Sequence, residues 1–159
     1  MQIPSLAQLK KELSYLPEKE LIEVILELSK FSRDNKSFLF FKLNEKDNPG
    51  FFVEMAQEDL LVEFQNARSD HYYYAKKSSQ KIRRKMNKLL KLTKSKTNQI
   101  EVILFFCEQL KENGFLDHQH AVLDNLYQMQ LKKAVKLIDG LHEDLQFDYE
   151  GRVEELHSL

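Results

Sequence analysis

Cysteine is nearly absent from this chain, and its single thiol, Cys107, lies in the apolar run VILFFC, so no internal disulfide can form. Nothing in the cysteine usage points to an oxidising compartment. Glycine and proline are also scarce, four and three in 159 residues, which leaves few positions for the tight turns that an antiparallel sheet needs. No stretch reaches the roughly 18 apolar residues of a membrane span, and MQIPSLAQLKKEL carries no basic segment followed by an apolar one. A soluble, cytoplasmic protein is therefore expected. Catalytic signatures are missing too: no HExxH pair, no glycine-rich phosphate loop and no GxSxG elbow. Enzymatic activity is accordingly not the expectation, and no cofactor is implied.

What is present is helical periodicity. The length fits one domain, residues 1–159, with an apolar share of 42% and a charged share of 31%. Ser5 and Gln8 have capping-box spacing, after which Leu6, Leu9 and Leu13 share one face of a short helix ending near Leu16. Pro17 in a first turn, with Glu18 and Glu20, opens a second helix whose Leu21, Val24, Ile25, Leu28 and Phe31 form the next apolar face. SFLFFKL, residues 37–43, has no partner strand nearby and reads as helix. NEKDNPG, residues 44–50, marks a loop. Met55, Leu60, Leu61 and Phe64 then supply a buried stripe ending around Ala67.

After the basic segment described below, Asn98 and Glu101 have the spacing of a cap for a helix, residues 98–113, that is apolar on most of its circumference and expected at the centre of the fold. Gly114 is placed to end it in the left-handed conformation, and Asp117 to cap its successor. Val122, Leu123, Leu126, Leu131, Ala134, Val135 and Ile138 carry that helix to Gly140. Leu141, Leu145, Phe147, Val153 and Leu156 make a weaker amphipathic tail. The expected fold is all-α: about seven helices, in antiparallel pairs, forming a compact or gently curved, solenoid-like array.

LKKELSYLPEKELIEVILEL, FFKLNE, KKSSQKIRRKMNKLLKL, IEVILFFCEQ and LDNLYQMQLKKAVKLI together span most of the chain. In these stretches it resembles a bacterial family of small all-helical proteins classed as a domain of unknown function. That resemblance implies a helical fold and no catalytic residues.

The strongest functional signal is charge. Residues 75–98 hold ten of the 24 Lys and Arg residues and no Asp or Glu, leaving 14 basic against 25 acidic residues elsewhere, a net of −11. At 100° per residue Ile82, Met86, Leu89 and Leu90 cluster on one face, while Lys77, Lys81, Arg84, Lys88 and Lys91 form a cationic stripe on the other. Three readings follow. The stripe can be a solvated face paired with the acidic remainder. It can dock an acidic protein or lie on an anionic membrane surface. Or it can neutralise nucleic-acid phosphates, with Tyr72, Tyr73 and Tyr74 offering stacking faces. The leading functional expectation is a non-enzymatic interaction module recognising an acidic partner through the stripe and Tyr73, and nucleic-acid binding is the alternative. LDHQHAVLD contains weak metal-ligand candidates, His118, His120 and Asp124, which read more simply as polar residues at a helix start; a metal-dependent enzyme centred on them is the third and least favoured functional reading. Cys107 reads as core.

Overall fold

A computed structural model of the chain describes residues 2–158 and contains eight α-helices and one 3-10 turn, with no strand among the described residues. The helices are α1 Leu6–Leu13, α2 Glu18–Phe31, α3 Arg33–Glu45, α4 Phe51–Gln65, α5 Tyr72–Leu90, α6 Lys96–Glu112, α7 Ala121–Ile138 and α8 Glu143–His157. The all-α expectation holds, with one helix more than the seven read from the sequence. The chain groups into two compact units, residues 1–46 and 47–159; α3 takes in Asn44 and Glu45 of the expected loop, and the division falls in its remainder, residues 46–50.

The first unit comprises α1, α2 and α3. The Ser5 hydroxyl accepts from the Gln8 amide at 3.3 Å and the Gln8 side-chain oxygen accepts from the Ser5 amide at 2.9 Å, so the capping box forms as its spacing predicts. Pro17 is the N-cap of α2 rather than a residue of its first turn. The residues SFLFFKL are helical, within α3, whose Ser32 cap accepts from Asn35 N. Both helices form where the spacing predicts, yet neither α1 nor α2 buries a side chain, and Leu6, Val24, Ile25, Leu28 and Phe31 are exposed. Periodicity identifies a face that gains by being covered, not the surface that covers it.

The second unit has a dense core. Its centre is α6, which packs against α4, α5, α7 and α8 and buries Ile100, Val102, Ile103, Leu104, Phe106, Cys107 and Leu110. Each such side chain contributes about 1.5–3 kcal/mol when fully buried. In α4 the buried residues are Phe52, Ala56, Leu60 and Phe64, a straight four-residue ridge. Met55 is half-buried and Leu61 exposed, because the core-facing row is the one occupied by small Ala56. The Phe64 ring stands perpendicular to that of Phe115 at 5.7 Å, a favoured edge-to-face geometry. The expected row of α7 is buried except Val122 and Val135, and Tyr127 and Gln130 join it. In α8 Leu156 and Tyr149 are buried while Leu145 and Phe147 are exposed.

Two caps differ from the sequence reading. Ser95, not Asn98, caps α6, its hydroxyl accepting from Asn98 N at 3.3 Å. His120, not Asp117, caps α7 through Nδ1, which accepts from Val122 N at 3.3 Å. Gly114 ends α6 with φ +73, and an added Cβ would lie 3.0 Å from the Asp117 carboxylate.

A cationic helix face as candidate functional site

Residues 72–90 contain no Gly or Pro and are rich in Lys, Arg, Gln, Met and Leu, which lose little freedom on becoming helical. His71 caps α5, its Nδ1 accepting from Tyr73 N at 3.2 Å. The inner face buries Ala75, Ser79, Ile82, Met86, Leu89 and Leu90, including all four residues that the periodicity predicts. That packing fixes the rotation of the helix. Lys77, Lys81, Arg84, Lys88 and Lys91 consequently lie on its outer side, and all five are exposed. From the first to the last the row runs about 21 Å at 1.5 Å per residue.

Intramolecular neutralisation of this row is slight. Lys81 Nζ lies 2.8 Å from Glu63 Oε2 on α4, and this hydrogen bond, opposed by burial, holds the Glu63 carboxyl below its usual range. The flanking Lys85 shares that carboxylate at 3.4 Å and approaches Asp59 at 3.8 Å. Pairs this exposed contribute at most about 1 kcal/mol. Among the described residues no ion pair engages Lys77, Arg84, Lys88 or Lys91. The first of the three readings therefore accounts for Lys81 alone.

Of the three tyrosines, Tyr73 and Tyr74 pack edge to face with ring centroids 5.5 Å apart, while Tyr72 meets a different neighbour. Tyr72 stacks on the His120 ring, centroids 3.6 Å apart, and so ties the start of α5 to the start of α7. Tyr74 lies beneath the Arg68 guanidinium, 3.8 Å away, and that cation is itself held by Asp70 at 3.0 Å. Tyr73 is 51% exposed and sits beside the stripe, with Lys77 Nζ 5.4 Å from its ring centroid.

The two histidines among the weak metal-ligand candidates are committed elsewhere. His118 Nε2 meets the Ser69 carbonyl oxygen at 2.7 Å, and His120 is the cap and stacking partner just described. Among the described residues no group of three His, Cys, Asp or Glu side chains is arranged to hold a metal ion, so His118, His120 and Asp124 are not brought together as a site. Burial, with the nearby Glu108 charge, pushes the Cys107 thiol up to about 12, where it stays protonated and a poor nucleophile.

One polar cluster escaped the sequence reading. Arg152 on α8 reaches Glu101 Oε2 at 2.7 Å and Glu108 Oε1 at 2.9 Å, both on α6. Burial lowers the Arg152 pKa, but the bonds to the two carboxylates outweigh it and the net shift is upward. The legible trace was a pair of carboxylates, Glu101 and Glu108, flanking the apolar run VILFFC. Its cation lies 44 and 51 residues downstream, where spacing carries no information.

The cleft between α7 and α8, lined by Val135, Ile138 and Tyr149, measures about 210 Å³, below the volume of ordinary ligand pockets. Among the described residues no helix is long and apolar enough to cross a membrane. No family model, curated protein or solved structure matches the chain.

Proposed function

We propose that this chain is a non-enzymatic, cytosolic protein-interaction module that presents α5 to an acidic protein partner. The observation that carries this reading is the row Lys77, Lys81, Arg84, Lys88 and Lys91, all exposed, of which only Lys81 has a carboxylate partner among the described residues. Five cations held about 21 Å apart end to end on a packed helix cost little to organise on binding, because the core face has already fixed the backbone. Electrostatic complementarity of this kind speeds encounter and selects partners of opposite charge. Tyr73 and Tyr74, both exposed, add an amphipathic contact, but two rings packed edge to face, one of them under Arg68, fall short of the series of stacking faces that single-stranded nucleic acid uses.

The test reverses Arg84, Lys88 and Lys91 to Glu together. These three are exposed and take part in no ion pair among the described residues, so folding, followed by circular dichroism, should be unchanged. Proteins retained by the wild type at near-physiological salt should be rich in acidic segments and lost with the variant; an identical set of partners on both would sink the reading. Fluorescence anisotropy of labelled DNA and RNA runs alongside. Nucleic-acid binding that survives near-physiological salt and disappears in the variant would reassign the surface to the alternative.

A further inference from the structure

The first unit carries a second recognition feature, independent of α5. Helices α2 and α3 are joined through the single extended residue Ser32 and pack against each other, leaving a groove of about 640 Å³ along their junction. Leu26, Leu39 and Leu43 contribute apolar surface to it. Leu26 is 51% exposed and Leu43 67%, whereas a leucine committed to a core in this protein is nearly inaccessible. Beside these residues stand Lys30, Arg33 and Lys36, exposed and spaced by three residues across the junction. No Asp or Glu lines the groove, although Glu27 and Asp34 belong to the same two helices. It is thus apolar along its floor and of one sign along its edge.

Those two properties specify an occupant. A purely anionic ligand would leave the leucines in water, and a purely apolar one would leave three cations beside a desolvated surface without counter-charge. An amphipathic helix satisfies both: apolar residues at i, i+3, i+4 and i+7 cover the leucines, and carboxylates on the flanks meet the cations. We infer that the α2–α3 groove binds an acidic amphipathic helix of a partner protein. Burying Leu26 and Leu43 drives the association, and Lys30, Arg33 and Lys36 select acidic over basic helices.

The probe is a fluorescein-labelled peptide of about 18 residues, five helical turns, with Leu at those helical positions and Glu at the others. Controls are the same peptide with Leu replaced by Ser and with Glu replaced by Lys. Anisotropy on the full chain should show saturable binding of the probe and of neither control. The triple variant Lys30→Glu, Arg33→Glu, Lys36→Glu should weaken it at least about tenfold, a difference of about 1.4 kcal/mol. Leu43→Ser, at an exposed position that folding does not need, should weaken it severalfold at unchanged net charge. Reversal of Arg84, Lys88 and Lys91 should leave it as in the wild type, which separates this groove from the α5 surface. Absence of binding, equal binding of the Ser control, or binding abolished by the α5 variant and kept by the groove variant would each overturn the inference. Sedimentation of the chain alone supplies the last arm: a dimer that dissociates on reversal of the groove cations would make a second copy the occupant.

Discussion

Tyr127 shows how a single buried polar atom makes stability depend on pH. Its ring is fully buried against the core and its hydroxyl donates to the Leu156 carbonyl oxygen at 2.6 Å, securing the end of α8 to α7. Burial, reinforced by Cys107 and Glu108, pushes this phenol from 10.0 up to about 12. Tyr149 is raised to the same region, again chiefly by burial, as is the Cys107 thiol from 9.0. In each case the folded state keeps a proton that the unfolded chain has released. The stability so carried is complete below the unfolded values and is lost as pH climbs from about 9 towards 12. Urea unfolding should therefore give a midpoint that falls steadily across that alkaline range while remaining level through neutrality. Tyr127→Phe should lose about 1 kcal/mol at neutral pH, with the Leu156 oxygen left unpaired. Its alkaline decline should be shallower than that of the wild type; an equal slope would show that the phenol does not titrate on unfolding.

Among the elements, existence was easier to read than boundaries, and buried faces were legible only where neighbours surround them. The α5 core face and the exposed stripe opposite it followed from residue spacing alone, since a helix with one strongly apolar and one strongly cationic side has a single sensible orientation. Caps were harder. Ser95 and Asn98 both suit an N-cap, and packing against the core, absent from a spacing rule, places the first turn of α6 at Lys96. The Arg152 clasp was illegible for a related reason, because partners 44 and 51 residues apart meet only through the fold. Its cost of removal can be measured. Arg152→Met leaves Glu101 and Glu108, both half-buried, without their cation, and should destabilise by about 1–3 kcal/mol once the one-third exposure of the pair is allowed for. Adding Glu101→Gln should make the double variant less unstable than the two single losses predict together. Strict additivity would mean that the guanidinium and Glu101 do not interact in solution.

For the whole molecule, the uneven distribution of burial has a sharper consequence than the number of helices. Among the described residues, 25 of the 26 buried apolar side chains belong to residues 47–158, and Phe41 is the one outside them. The sequence marks a loop at residues 44–50, through Asn, Pro and Gly, within what reads as one domain, and could not show this imbalance. Apolar residues recur at helical spacing on both sides of that loop, and periodicity alone weighs them equally. A unit of five helices packed around α6 contains its own core, whereas α1 and α2 contain no buried side chain at all. Residues 47–159 expressed alone should therefore keep a cooperative thermal transition and the helical circular dichroism of α4 to α8. Residues 1–46 alone should show little stable helix, since helices of 8, 14 and 13 residues are marginal in water without packing. Brief protease treatment of the full chain should cut first within residues 46–50 and leave the larger fragment intact. If the larger fragment instead melts without cooperativity, the core around α6 is not sufficient to hold α5, and the cationic row would lose the rigid backing on which its proposed role depends.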